Sequence, residues 1–192
     1  MNTVRCSQSP KSSGWFNLIA VVSLVLLCAM GTAMTALPQS EFKVTTVYLV
    51  RHAEKAAVPG ADPPLSEAGT KRAEELVRTL SKADIKTILT SQFLRTKHTA
   101  EPLAKQLGIA ATVVPVKMAG RELSPDYLKE MAERATSGGG NALIVGHSNT
   151  VPELIKALGG DVAPAIDESV YDDLFVVTVY AKGKAKVVHL KQ

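Results

Sequence analysis

The chain has 192 residues and a formal net charge of +4. This length predicts a single domain with a hydrophobic core of its own, and it excludes a small domain that depends on disulfides. The modest positive charge gives no reason to expect a nucleic-acid partner.

The first 40 residues differ from the rest of the chain. Arg5 and Lys11 form a short basic start, residues 12–40 contain no charge, and residues 18–30 are almost entirely apolar. This order of basic, apolar and then small residues is typical of a secretory signal peptide. An uncleaved anchor over residues 15–37 is the alternative, since about 20 apolar residues can span a bilayer.

The sequence therefore predicts a signal peptide or N-terminal membrane anchor over residues 1–36 and a globular domain over residues 37–192. We expect an exported protein, periplasmic or extracellular, that meets the membrane only if the leader is uncleaved. Both cysteines, Cys6 and Cys28, lie in the leader, so the domain has no disulfide and no thiol chemistry.

Strands alternate with helices through the predicted domain. Apolar and β-branched runs predict strands over residues 44–50, 87–90, 112–116 and 142–145. Amphipathic spacing and capping residues predict helices over residues 66–82, 94–107, 125–138 and 152–158. Two more strands, 174–180 and 185–190, flank a Lys-Gly-Lys turn. The pattern predicts an α/β three-layer sandwich with a mostly parallel central sheet and a C-terminal edge hairpin.

Two arginines and two histidines follow three of the predicted strands. Arg51 and His52 follow the first strand, Arg95 opens the helix after the second, and His147 follows the fourth. The carboxyl ends of parallel strands meet at one edge of an open sheet, which is where ligands bind. We therefore expect these four side chains to form one site.

This set of side chains suits an anion such as a phosphoryl group. Guanidinium groups bind phosphoryl oxygens through paired hydrogen bonds, and the helix that begins near Arg95 adds free backbone N–H groups. A neutral imidazole can attack phosphorus, and a second one can donate to the oxygens as charge develops. Because the positive charge is built into the protein, we expect no metal and no other cofactor.

Four segments resemble motifs of the histidine phosphatase (phosphoglycerate mutase-like) superfamily, in that family's order. Residues 49–54 (LVRHAE) resemble its Arg-His-Gly motif, with Ala53 in place of the usual glycine. The others are residues 64–66 (PLS), 91–96 (SQFLRT) and 144–147 (IVGH). The short domain is most similar to the family's small phosphohistidine-phosphatase-like branch.

The resemblance implies a phosphoglycerate mutase-like fold and a metal-independent phosphatase. Such an enzyme would hydrolyse a phosphate monoester or a phosphoramidate through a phosphohistidine intermediate on His52. Arg51 and Arg95 would bind the phosphate, and His147 would donate a hydrogen bond to it. The implied substrate is a phosphorylated small molecule or a phosphoprotein, and the oligomeric state is left open.

The sequence identifies the proton donor for the leaving group less clearly than it identifies the two arginines and two histidines. Glu122 follows the third strand. The number of residues between Arg95 and Glu122 is similar to the number that separates the corresponding arginine and acid in the phosphoglycerate mutases. The residues around it match the family's acid motif poorly. Glu122 is therefore either the general acid or a solvated loop carboxylate.

A serine hydrolase is one alternative function. Residues 146–150 (GHSNT) partly resemble the nucleophile elbow of those enzymes, and Asp172 and His189 follow Ser148 in the order of their triad. However, Thr150 stands where the sharp turn requires glycine, and this hypothesis gives the two arginines and the first histidine no role.

A non-catalytic module that binds a phosphorylated ligand is the other alternative. Binding alone would need the two arginines but not both histidines, which favours an enzyme.

Overall fold

The computed structural model describes residues 43–161 and 165–192. The leader predicted over residues 1–36 lies outside these ranges, so both of its interpretations stay predictions. Within the described ranges, every helix is too short or too polar to cross a membrane.

Eight strands and four α-helices occur in the described part of the chain. In order they are β1 (Thr45–Arg51), α1 (Glu67–Leu80), β2 (Ile85–Thr90), α2 (Leu94–Leu107), β3 (Thr112–Val113), β4 (Met118–Ala119), β5 (Glu122–Leu123), α3 (Pro125–Ser137), β6 (Asn141–Gly146), α4 (Thr150–Ala157), β7 (Asp173–Ala181) and β8 (Lys184–Lys191).

Six of these strands form one sheet in the order β3-β2-β6-β1-β7-β8. The pairs β3-β2, β2-β6 and β6-β1 are parallel, whereas β7 runs antiparallel to both β1 and β8. The predicted mostly parallel sheet with a C-terminal hairpin at its edge is confirmed. β4 and β5 form a separate antiparallel pair.

Helices cover both faces of this sheet. Leu76 of α1 and Leu103 of α2 pack in one buried cluster with Leu143 of β6. Met131 of α3 packs in a second cluster with Ile144, the next residue of β6. Adjacent residues of a strand point to opposite faces, so β6 is buried on both sides. The three-layer sandwich predicted from the sequence is therefore confirmed.

Local backbone bonding explains two differences from the predicted boundaries. α4 begins at Thr150 rather than at Pro152, because the N–H groups of Thr150 and Val151 already donate to the carbonyl oxygen of His147. The strand predicted over residues 112–116 is shorter, because Val116 donates its N–H to the side chain of Gln92 instead of to a neighbouring strand.

Candidate active site

The parallel pairing of β2, β6 and β1 brings their carboxyl ends side by side. His52 follows β1, and its backbone N–H donates to the carbonyl oxygen of Gly146 at the end of β6, 2.9 Å away. Since His147 comes directly after Gly146, the two imidazoles meet, with ring centroids 5.3 Å apart. The two histidines that the sequence assigns to one site therefore do lie together.

Both histidines line a cavity of about 450 Å³, which Arg95, Lys55 and Glu168 also line. This volume lies within the range of small-ligand sites. The cavity thus holds two imidazoles, two cationic side chains and one carboxylate.

His52 is oriented by its own backbone. Its Nδ1 lies 2.8 Å from the carbonyl oxygen of Ala53. Because a carbonyl can only accept, Nδ1 carries the proton and Nε2 keeps a lone pair. Burial lowers the pKa of His52 from 6.5 to about 4, and the nearby charge of Arg95 lowers it as well. The ring is therefore neutral at pH 7, with Nε2 free to act as a nucleophile.

His147 is held by a short chain of hydroxyl groups. Its Nε2 lies 3.0 Å from Ser91 Oγ, which lies 2.9 Å from Thr96 Oγ1. Thr96 Oγ1 also lies 2.9 Å from the carbonyl oxygen of Phe93, so its proton is donated there. Thr96 then accepts from Ser91, and Ser91 accepts from the Nε2–H of His147. The nitrogen that remains available to a ligand is Nδ1.

His147 is also neutral in the absence of a ligand. Burial lowers its pKa from 6.5 to about 3, and the positive charge of Arg95 acts in the same direction. A neutral ring that donates through Nε2 has no proton on Nδ1. His147 can therefore donate to a phosphoryl oxygen only after Nδ1 takes up a proton.

Arg95 opens α2 and faces the cavity directly. Its guanidinium carbon lies 4.2 Å above the ring of Phe93. The carboxylate of Asp62 lies 3.6 Å from its Nη1, and its Nε–H has no partner among the residues that the structure describes. Arg95 therefore keeps donors for an incoming oxyanion, as the sequence predicts for a phosphate-binding residue.

The start of α2 differs from the sequence-based expectation. The backbone N–H of Leu94 donates to both carboxylate oxygens of Asp62, at 3.0 and 3.1 Å. The expectation that this helix end offers free N–H groups is wrong at Leu94, because a carboxylate from the preceding loop already occupies that position.

Arg51 is buried beneath the segment that leads into β7. Its Nη1 donates to the carbonyl oxygens of Asp167 and Val170, both at 3.0 Å, and its Nη2 donates to Glu168 at 2.7 Å. The guanidinium carbon lies 4.2 Å above the ring of Tyr171. Glu168 rather than Arg51 lines the cavity. The predicted role of Arg51 in phosphate binding therefore requires Glu168 to move.

Sequence reasoning missed the contributions of Ser91 and Glu168, and the spacing of Tyr171 left open whether it borders the site. Ser91 belongs to the motif at residues 91–96, where only the arginine had been given a role. Tyr171 lies with its ring centroid 6.1 Å from that of His52. Glu168 and Tyr171 follow no strand or helix pattern, and they meet Arg51 across more than 110 residues of chain. No local spacing could have identified them.

Glu122 lies apart from the histidines. It is exposed on β5, opposite Ala119. It lines a second cavity of about 570 Å³, which shares Asn149 with the histidine cavity. Its role as a proton donor stays a prediction, limited to leaving groups that extend past Asn149.

The proposed serine-hydrolase triad is not assembled. The Ser148 hydroxyl bonds to Glu168, whereas His189 lies 2.6 Å from Asp173 on the edge hairpin. Within residues 43–161 and 165–192, no histidine forms a hydrogen bond with Ser148. The triad hypothesis is therefore wrong for these residues, because sequence order alone does not bring the three side chains together. In the same ranges, no cluster of three or more His, Cys, Asp or Glu side chains could hold a metal ion.

Comparison with known proteins gives a family match over part of the chain. Residues 47–117 match the family model described as "Histidine phosphatase superfamily (branch 1)". This segment contains three of the four motifs, and His147 lies beyond it. No curated protein matches the chain by sequence.

Three solved structures illustrate the likeness of fold. The protein histidine phosphatase SixA in complex with tungstate is 21% identical, with a TM-score of 0.60 over 76% of this chain and 96% of that one. The protein assigned as the phosphohistidine phosphatase SixA of Agrobacterium tumefaciens is 26% identical, with a TM-score of 0.58 over 77% and 98%. The alpha-ribazole phosphatase of Shigella flexneri is 18% identical, with a TM-score of 0.58 over 77% and 96%.

Proposed function

We propose that this chain is a metal-independent phosphatase of the histidine phosphatase superfamily, acting through a phosphohistidine on His52. The hydrogen bond from His52 Nδ1 to the carbonyl oxygen of Ala53, at 2.8 Å, carries this proposal. It fixes Nε2 as the free nitrogen of a neutral, buried ring beside the cationic Arg95.

Phosphoryl transfer would proceed in two steps. Nε2 attacks phosphorus, and the N–P bond forms while the bond to the leaving group breaks. The leaving group departs with the bonding electron pair, either as a stable anion such as p-nitrophenolate or with a proton taken from a general acid or from water. The ring then carries positive charge, and the carbonyl of Ala53 stabilises it by accepting from a more acidic Nδ1–H. Water next attacks phosphorus and the N–P bond breaks, which releases phosphate and restores His52.

Arg95 and His147 would stabilise the phosphoryl oxygens. The guanidinium of Arg95 is charged at any working pH and supplies paired donors. A bound dianion raises the pKa of a nearby imidazole, because negative charge favours the protonated form. We therefore propose that His147 takes up a proton at Nδ1 as the phosphoryl group binds, and that it then donates to an oxygen.

The proposed substrates are phosphate monoesters or phosphoramidates of a small molecule or a protein. The structural neighbours support this class through their names, which include phosphohistidine and alpha-ribazole phosphatases. Phosphoramidates are favoured by the position of Glu168, because a carboxylate paired with Arg51 is poorly suited to protonate a leaving group. Export by the leader stays part of the proposal on sequence grounds alone.

Hydrolysis of p-nitrophenyl phosphate by the purified protein tests this function. Turnover is expected with EDTA present and at the same rate after prolonged chelation, whereas His52→Asn should abolish it. Binding of inorganic phosphate without turnover would favour the non-catalytic binding module instead.

A further inference from the structure

Glu168 lies between Arg51 and the histidine cavity. Its carboxylate accepts from Arg51 Nη2 at 2.7 Å and from the hydroxyl of Ser148, and it lines the cavity together with His52. The side chain of Arg51 is 2% exposed, whereas that of Glu168 is 77% exposed. A buried cation is therefore covered by a carboxylate that is largely in solvent.

The hydrogen bonds of Arg51 identify the donors that Glu168 covers. Nη1 uses both of its N–H groups on the carbonyl oxygens of Asp167 and Val170, which fixes the guanidinium in place. Nη2 donates to Glu168, and Nε–H has no partner among the described residues. The Nε and Nη2 edge of the guanidinium therefore remains to donate to a phosphoryl group, and Glu168 already accepts a hydrogen bond from this edge.

We propose that Glu168 is an internal ligand of Arg51 that the phosphoryl group must displace, so that this one residue sets the affinity of the site for phosphate. The inference rests on the proposed phosphatase function. A phosphoryl dianion has more charge than a carboxylate and a third oxygen, so it can contact Arg95 and His147 as well as Arg51. When Glu168 returns to Arg51, it would lower the affinity of the site for inorganic phosphate, which is the product.

The charge state of Glu168 separates this role from that of a proton donor. The hydrogen bond from Ser148 and the charges of Arg51 and Lys55 lower the pKa of Glu168. Glu168 is therefore ionised at neutral pH. An ionised carboxylate can compete for a cation, but it has no proton to give to a leaving group.

The test compares Glu168→Gln with the wild-type protein. Calorimetry measures the Kd for inorganic phosphate, and steady-state kinetics give kcat and KM for p-nitrophenyl phosphate. Glutamine keeps the shape of the side chain and can still accept from Ser148, but it lacks the charge. Kd and KM are expected to fall about fivefold, the scale of an ion pair with one exposed partner, while kcat changes less than about twofold.

Two further variants distinguish the direct contact between Glu168 and Arg51 from the general effect of a negative charge in this segment. Asp172→Asn removes one negative charge from the same segment, where the carboxylate pairs with Lys191 at 2.8 Å and does not line the cavity. It should change Kd by less than about twofold, because its charge is only half-buried, is paired with Lys191 and is screened by solvent. Glu168→Asp keeps the charge but shortens the reach towards Arg51, so a smaller gain in affinity is expected. This variant also preserves the test if Glu168→Gln fails to fold.

Several results would overturn the inference. Unchanged or weaker phosphate binding in Glu168→Gln would mean that the carboxylate orients Arg51 instead of competing for it. The same kinetics are measured with an alkyl phosphate, and a loss of kcat on that substrate alone would make Glu168 the proton donor. If neither protein binds phosphate or turns over, the phosphatase proposal fails and this inference with it. If the wild-type protein binds phosphate but Glu168→Gln does not bind it more tightly, only the inference about Glu168 fails and the phosphatase proposal stands.

Discussion

Arg51 donates through Nη1 to the backbone carbonyl of Val170, 3.0 Å away and 119 positions later in the chain. A second bond from the same nitrogen reaches the carbonyl oxygen of Asp167. The end of β1 is thereby fastened to the segment that leads into β7. Among the described residues Arg95 makes no such bond to the backbone, and the carboxylate of Asp62 lies 3.6 Å from its Nη1.

The two arginines should therefore differ in their effect on stability. Arg51→Lys is expected to lower the free energy of unfolding by about 1.5–3 kcal/mol, because one ammonium group cannot replace three hydrogen bonds in a fork geometry. Arg95→Lys should lower it by less than about 1 kcal/mol. Urea denaturation at pH 7 measures both values, and equal losses in the two variants would contradict this division of roles.

The buried histidines predict that stability falls in acid. The unfolded chain binds a proton on each imidazole near pH 6.5, whereas the folded protein does so only near the lowered pKa values of about 4 for His52 and about 3 for His147. Between pH 6.5 and these values the unfolded state binds more protons, so stability decreases as the pH falls.

Thermal unfolding between pH 7 and pH 4 checks this dependence. Carboxylates contribute to the same trend, so the informative quantity is the difference in slope between the wild-type protein and His52→Asn. The variant should lose less stability over this range than the wild type. Parallel curves would show that His52 is not held neutral by the fold.

The positions of His52, Arg95 and His147 could be predicted from the sequence for a simple physical reason. Each follows a strand directly or opens the next helix, and three parallel neighbouring strands end at one edge of the sheet. Element order was therefore enough to bring these side chains together, without knowledge of any loop.

The covering of Arg51 could not be predicted in this way. Glu168 lies in an irregular segment before β7, and its contact with Arg51 depends on the path of that segment through space. The same holds for Asp62, which reaches the start of α2 from the loop after β1. In both cases a loop carboxylate occupies a position that strand and helix patterns leave open.

Glu122 is expected to matter only for some substrates. It lies in the cavity beyond Asn149, so an alkyl leaving group that extends there can receive its proton, whereas p-nitrophenolate needs little help. Glu122→Gln should slow a long alkyl phosphate by up to about 10²-fold, the lower end of general-acid catalysis, and p-nitrophenyl phosphate less than about twofold.

Steady-state kinetics with both substrates distinguish the two interpretations of Glu122. If neither rate changes, Glu122 is an exposed loop carboxylate. An equal, large loss on both substrates would indicate instead that it supports the shape of the cavity.

Trapping the covalent intermediate tests whether His52 is the nucleophile. Rapid quenching in alkali during turnover of a ³²P-labelled substrate should yield protein that carries an alkali-stable, acid-labile label, because a phosphoramidate bond joins phosphorus to Nε2 of His52. Peptide mapping should place the label on His52, and His52→Asn should carry none. Label on Ser148, or turnover without any labelled protein, would show that His52 is not the nucleophile.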